Sequence, residues 1–280
     1  VDTIKLIGSE NELVSTFGAP ESSDAKYFLT AASFLKYGNS LKTVRSVNAS
    51  TSKNATAGSG TALVYSKDHP SLGYDVLTLS SPGAYIARYP GAAGNAIKVH
   101  VCTAGGTNAF ADWAYKASFD AAPGTSEYAV SYGKTDDGTP TGVGTFNDEI
   151  HILVEDATGV LTGTAGTILE TFPFLSVAAD AKTSQGNSTY YKTVINNTSR
   201  YVFWGAHPPE WADTGSPVGD QFNAGDTLKT TTKTLTAMAN QAAAESPDGN
   251  YAYTLSKGVD APPILGSLKT SYNLFADSET

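Results

Sequence analysis

Residues 149–205 constrain this chain more than any other stretch. Glu149–Glu155 alternates so that Ile150, Ile152 and Val154 share one face, the period of a strand. Leu169–Val177 is apolar but interrupted by Pro173, which cannot donate to a ladder, so this strand belongs at an edge or a bend. Between 187 and 198, Tyr190, Tyr191, Val194 and Ile195 recur at helical spacing, and Tyr201–Trp204 is a short apolar strand. Strand, turn, strand, loop, short helix, strand: the stretch reads as a building unit without a catalytic constellation. Its aromatics (Phe172, Phe174, Tyr190, Tyr191, Phe203, Trp204) are expected in a core, and its polar turn at 183–189 on the surface.

The flanks differ in kind. Residues 4–7 are a short strand. Ser9 then caps a helix over Glu10–Phe17, with Glu12 in the capping-box position and Gly18-Ala19-Pro20 as the stop. A second helix starts at Ser23 or Asp24 and runs to Tyr37, with Tyr27, Phe28, Ala31, Phe34 and Leu35 as its apolar stripe, and Leu41–Val47 follows as a strand. Residues 48–61, rich in Ser, Thr, Asn and Gly, read as an exposed loop or linker and mark the domain boundary. From Ala62 to Lys257 the pattern is β: Ala62–Tyr65, Asp75–Leu79, Ile97–Cys102, Tyr128–Tyr132 and Tyr251–Leu255. Tyr128–Tyr132 is expected beside Glu149–Glu155 as a hairpin, with Asp136-Asp137-Gly138 as a turn signal in the joining loop. Leu265–Phe275 returns to helical spacing, with Leu265, Leu268, Tyr272 and Phe275 on one face. The expected fold is α+β: a β-rich middle domain (56–260) inserted into a split α/β domain (1–55 and 261–280) that is incomplete in this chain.

Charge and chemistry narrow the function. The chain has 280 residues, a net charge of −9 and no Lys/Arg cluster, which argues against nucleic acid or an anionic membrane as partner. No apolar run approaches the ~20 residues of a membrane-spanning helix. Cys102 is the single cysteine, so no intrachain disulfide forms, and its strand setting suggests a small buried hydrophobe. His69, His100, His151 and His207 follow no metal-binding motif. His100 and His151 could meet across strands but need a third ligand, and the prolines stiffen His207-Pro-Pro-Glu210 into a loop. Asp136-Asp137, Asp148-Glu149 and Glu155-Asp156 flank strands and read as solvated turns. GxSxG, HExxH and GxGxxG are all missing, so no catalytic, cofactor-binding or metal-binding residue is assigned, and an enzyme is not expected. A β-rich carbohydrate-binding or carbohydrate-active protein is the alternative from another class, with Trp113, Trp204 and Trp211 as sugar platforms, although Trp204 sits in an apolar strand.

Four collinear segments carry a resemblance. ENELVSTFGAP with DAKYFLTAASFLKYGNSLKTVRSV (within 10–47), ALVY with ARYPGAAGNAIKVHVC (62–102), residues 149–205, and the helix ending Leu274-Phe275-Ala276-Asp277 together resemble the tail sheath protein of contractile-tailed bacteriophages. FGAP and YPGAAGN are the sharpest motifs. The resemblance implies a structural subunit that wraps a tail tube in stacked rings and contracts without a cofactor. Its partners would be other sheath subunits, the tube and the baseplate, and its place the virion tail, assembled in the host cytoplasm. A phage-derived cellular injection device or tailocin would share this architecture. The resemblance further implies that a C-terminal region bearing the assembly arms lies outside this chain, so the chain by itself is expected to be a monomer.

Overall fold

The structure is a computed structural model, described here over residues 3–18, 20, 25–104, 110–129, 131–132, 146–177, 181–206, 243–246 and 250–277. It has an α+β architecture made of a small helical unit and a larger β-body.

The helical unit begins with β1 (Lys5–Ile7) and α1 (Glu10–Phe17). The cap forms as the sequence predicts: Ser9 Oγ accepts the Glu12 N–H at 3.2 Å. The Glu12 carboxylate reaches back one residue further than in a standard capping box and accepts the Gly8 N–H at 2.8 Å. Gly18, at φ 86°, closes the helix by donating to Val14 O. α2 (Ala25–Leu35) leads to β2 (Leu41–Thr43), which pairs antiparallel with β1 through only three residue pairs. The strand predicted to Val47 thus ends at Thr43, and the pair is antiparallel. The small core holds Ile7, Leu13 and Ala32, with Phe17, Phe28, Ala31, Leu35 and Leu41 partly buried against it.

The β-body is built on a five-stranded antiparallel sheet in the order β11–β12–β5–β8–β9. Its strands are β5 (Ile97–Thr103), β8 (Glu149–Asp156), β9 (Thr167–Ser176), β11 (Ala243–Ser246) and β12 (Asn250–Thr254). A second sheet, in the order β10–β4–β3, comprises β3 (Asn54–Thr56), β4 (Tyr85–Pro90) and β10 (Val202–Trp204). The main core lies between the two sheets and α3 (Tyr191–Thr198). Ile150, Ile152 and Val154 of β8 and Val99 and Val101 of β5 meet Tyr85, Ala87, Tyr191, Ile195 and Val202. The outer face of the smaller sheet is closed by residues 62–79, where Ala62, Val64, Leu77 and Leu79 pack on Ile86 and Phe203.

β9 takes the edge position that Pro173 predicts. The register slips by one residue opposite Ile150–Ile152, and Phe174 adopts a positive φ of 51° beside the proline. The N–H of Phe174, released from the ladder by this bulge, donates to His151 Nδ1 at 3.0 Å.

Three sequence expectations are corrected. The segment read as an exposed loop contains β3, in which Asn54, Ala55 and Thr56 are buried. The Asn54 side chain replaces a missing stretch of ladder: its Oδ1 accepts from Val64 N at 2.7 Å, and its Nδ2 donates to Val64 O at 3.0 Å and Ala87 O at 2.9 Å. Ala62–Tyr65 and Asp75–Leu79 are not strands but irregular chain, held by isolated bridges such as Asn54–Ala62 and by packing. Tyr128–Tyr132 does not pair with Glu149–Glu155. Instead β6 (Ser131–Tyr132) pairs with β7 (Phe146–Asn147), and β8 is flanked by β5 and β9. The Asp136-Asp137-Gly138 turn lies outside the described residues.

Candidate functional site

The titratable groups singled out from the sequence converge, but on a packed polar layer. β8 is buried along its whole length. Its second face, Glu149, His151, Leu153 and Glu155, is covered by residues 110–126, so Asp148-Glu149 and Glu155-Asp156 are not solvated turns. Each carboxylate has partners that offset its desolvation. Glu149 accepts from Gly124 N at 2.7 Å and from Ser126 Oγ, and Ser176 Oγ donates to Asp148. Asp156 accepts from the N–H groups of Gly159, Leu161 and Thr162 and from the Thr162 hydroxyl, all within 2.9 Å, and so folds the 156–166 turn around itself. Glu155 lies 2.7 Å from His100 Nε2 and 3.2 Å from Tyr115 Oη.

His100 and His151 do share one sheet face, because Cys102 stands opposite His151 and Leu153 opposite His100. Each is nevertheless committed to other groups. His151 Nε2 donates to Ala121 O at 2.8 Å while Nδ1 accepts from Phe174, which fixes a neutral tautomer. Burial lowers its pKa, outweighing its backbone hydrogen bonds. Its ring stacks on Phe119 at 4.5 Å. Cys102 is buried as expected, and desolvation pushes its thiol up to about 12. His69 Nδ1 accepts from Leu72 N at 3.0 Å within a loop turn. Among the described residues no group of three or more His, Cys, Asp or Glu side chains could hold a metal ion. Trp113 is buried and stacked on Phe119, and Trp204 is half-buried, with its Nε1 donating to Tyr191 Oη at 2.9 Å and Lys192 over its ring. His207, Glu210, Trp211, Asp136 and Asp137 lie outside the described residues.

The YPGAAGN motif, in contrast, sits at a neck where residues 45–48, leading from the helical unit, and residues 258–262, leading to the helix at 265–277, meet the β-body. Arg45 Nη2 donates to Pro90 O at 2.6 Å, and Asp260 Oδ2 accepts from Ala92 N at 2.9 Å. Arg45 and Asp260 face each other at 4.0 Å directly above Gly91. Gly91 has φ 136°, and a Cβ there would stand 2.6 Å from Asp260 Oδ1 and 3.1 Å from Arg45 Nη2. The Asn95 side chain grips the returning chain at Gly258, accepting from its N–H at 2.7 Å and donating to its C=O at 3.0 Å. Lys53 and Val259 exchange both backbone hydrogen bonds at 3.0 Å, and Asn48 Nδ2 donates to Pro262 O at 3.3 Å. Neither Arg45 nor Asp260 stands out in the sequence. Arg45 lies in the segment ending SLKTVRSV, Asp260 belongs to no motif, and the two are separated by more than two hundred residues.

The helices carry a further surface. The sequence places Leu265, Leu268, Tyr272 and Phe275 on one apolar face of α4 (Leu265–Asp277); the first three are solvent-exposed, Leu265 at 84% and Tyr272 at 73%, whereas Phe275 is half-buried. It is Ser271 that α4 buries. On α2, Phe28, Ala31 and Leu35 turn inward as expected, whereas Tyr27 and Phe34 of the predicted stripe turn outward, together with Leu29. α2 and α4 thus each present exposed apolar side chains to solvent. The described residues thus form a β-body with an enclosed core, and helices whose outer faces carry exposed apolar side chains.

Comparison with known proteins gives that anatomy a family context. The chain is similar to phage tail sheath proteins. It is 24% identical to the tail sheath protein of Salmonella phage ViI over 71% of its own length and 43% of that protein. It is 41% identical to the tail sheath protein of Enterobacteria phage T4 over 84 residues, which are 30% of this chain and 11% of the relative. It is 48% identical to that of Vibrio phage KVP40 over 54 residues, 19% of this chain and 8% of the relative. The chain thus spans less than half the length of the curated relatives it matches. A solved sheath tail protein from Listeria innocua overlaps all of this chain and 36% of its own at 11% identity, with a TM-score of 0.41, too loose to define a shared fold. No protein-family model matches the chain.

Proposed function

We propose that the chain is part of the structural subunit of a contractile phage tail sheath. Such a subunit is packed with its copies around a tail tube and contracts to drive the tube through the host envelope. The observation that carries this reading is the similarity to a phage tail sheath protein across 71% of the chain, with two further phage tail sheath proteins matching shorter stretches. The outward apolar faces of α2 and α4 support it, since they need a cover. On this reading they are covered by the rest of the split domain or by neighbouring subunits in the virion tail, and the β-body is an insertion that faces outward. Free energy for contraction comes from burying more interface in the shorter lattice, so the subunit needs neither cofactor nor catalysis. Further partners are the tail tube and the baseplate.

A nanobody raised against the β-body tests this by electron microscopy of intact tails. Regular labelling along the whole tail is expected. Unlabelled tails, or label confined to the tip, would overturn the proposal.

A further inference from the structure

We infer that the Arg45–Asp260 clasp over Gly91 is a lock: it fixes the helical unit against the β-body, and opening it turns the neck into a swivel. The inference rests on the geometry of the neck and does not depend on the sheath reading. The chain crosses the neck at 44–48 and again at 258–264. A pair of crossings resists bending, but rotation about the neck is restrained only where the crossings are tied to the body. Arg45 holds the Pro90 carbonyl and Asp260 the Ala92 N–H, so both crossings are pinned to the same turn of the β-body. Asn95 and the Lys53–Val259 pair anchor the second crossing further inside. The clasp is half open to solvent, with side-chain exposures of 37% for Arg45 and 52% for Asp260. It can therefore be released without disturbing a core. The same geometry explains YPGAAGN as a device: Pro90 offers the carbonyl, Gly91 leaves room for both charged side chains, Gly94 fits against Ala55 and Ala87, and Asn95 holds Gly258.

The test places spin labels at Tyr37→Cys and Val160→Cys, both exposed and on opposite sides of the neck, with the buried Cys102 left unlabelled. Electron–electron double resonance is expected to give one narrow distance distribution in the parent chain and a broad one in Arg45→Ala/Asp260→Ala. A parent distribution that is already broad, or a double variant as narrow as the parent, would overturn the lock. Amide exchange separates a released joint from a loosened fold. In Asp260→Ala the Ala92 amide is expected to exchange about tenfold faster, with Val99 and Ile152 unchanged. If Ile152 accelerates equally, the body itself has opened and the inference fails.

Discussion

The β-body and the helical unit solve the same burial problem to different degrees. In the β-body, the interior strand β8 is covered on both faces, so it has no exposed residue and even its carboxylates are enclosed with partners. In the helical unit, two helices and a two-stranded ribbon enclose, among the described residues, Ile7, Leu13 and Ala32, while Leu6, Tyr27, Leu29 and Phe34 remain outside. A two-stranded ribbon has little stability of its own and depends on what packs on it. The contrast teaches that apolar periodicity marks the surface a helix will bury, without saying whether this chain supplies the cover.

Substitutions in the two regions should differ in cost accordingly. Ile152→Ala removes a fully buried side chain between the sheets and should cost about 2–5 kcal/mol in chemical denaturation. A loss under 1 kcal/mol would show the β-body to be less tightly packed than its burial implies. Asn54→Ala strips partners from Val64 and Ala87 within a buried strand, and about 2–3 kcal/mol should go. A neutral result would return residues 48–61 to the status of a loop.

The β-body should also carry an acid sensitivity at His151. Its folded pKa lies below the ordinary value of 6.5, so the unfolded chain takes up the proton first as pH falls. This contribution to stability is complete above about pH 6.5 and is lost as pH drops from there through the folded pKa, with a slope of at most about 1.4 kcal/mol per pH unit. His151→Gln should flatten that part of a stability-versus-pH curve, and an unchanged slope would point to another group. The smallest effect belongs to α4. Leu268→Ser and Tyr272→Ser should shift the stability of the chain by no more than about 0.5 kcal/mol, because both side chains already face water. Should either cost 2 kcal/mol, the helix face would not be uncovered.

Much of this was legible locally. Ser9, Glu12 and Gly18 set the first helix by capping chemistry, which needs only neighbours in sequence. Pro173 announced an edge strand because a proline cannot donate to a second neighbour. The buried polar layer was not legible. Glu149, Glu155 and Asp156 look solvated until residues 110–126 and the 156–166 turn are folded over them, and nothing in the spacing of carboxylates signals a cover supplied from elsewhere. Asn54 misled for a related reason: an Asn-rich stretch has loop composition, yet one amide side chain can complete a ladder once Val64 and Ala87 are brought beside it.

The α+β composition, many of the strands and helices, and the FGAP and YPGAAGN turns are readable from the residues alone. These depend on periodicity, caps and turn residues, whose interactions span a few positions. Only the tertiary structure decided which faces are covered, which charges are buried, and that Arg45 and Asp260 close over Gly91. Those outcomes depend on contacts between residues tens to hundreds of positions apart, and a one-dimensional pattern carries no record of which distant segment arrives to make them.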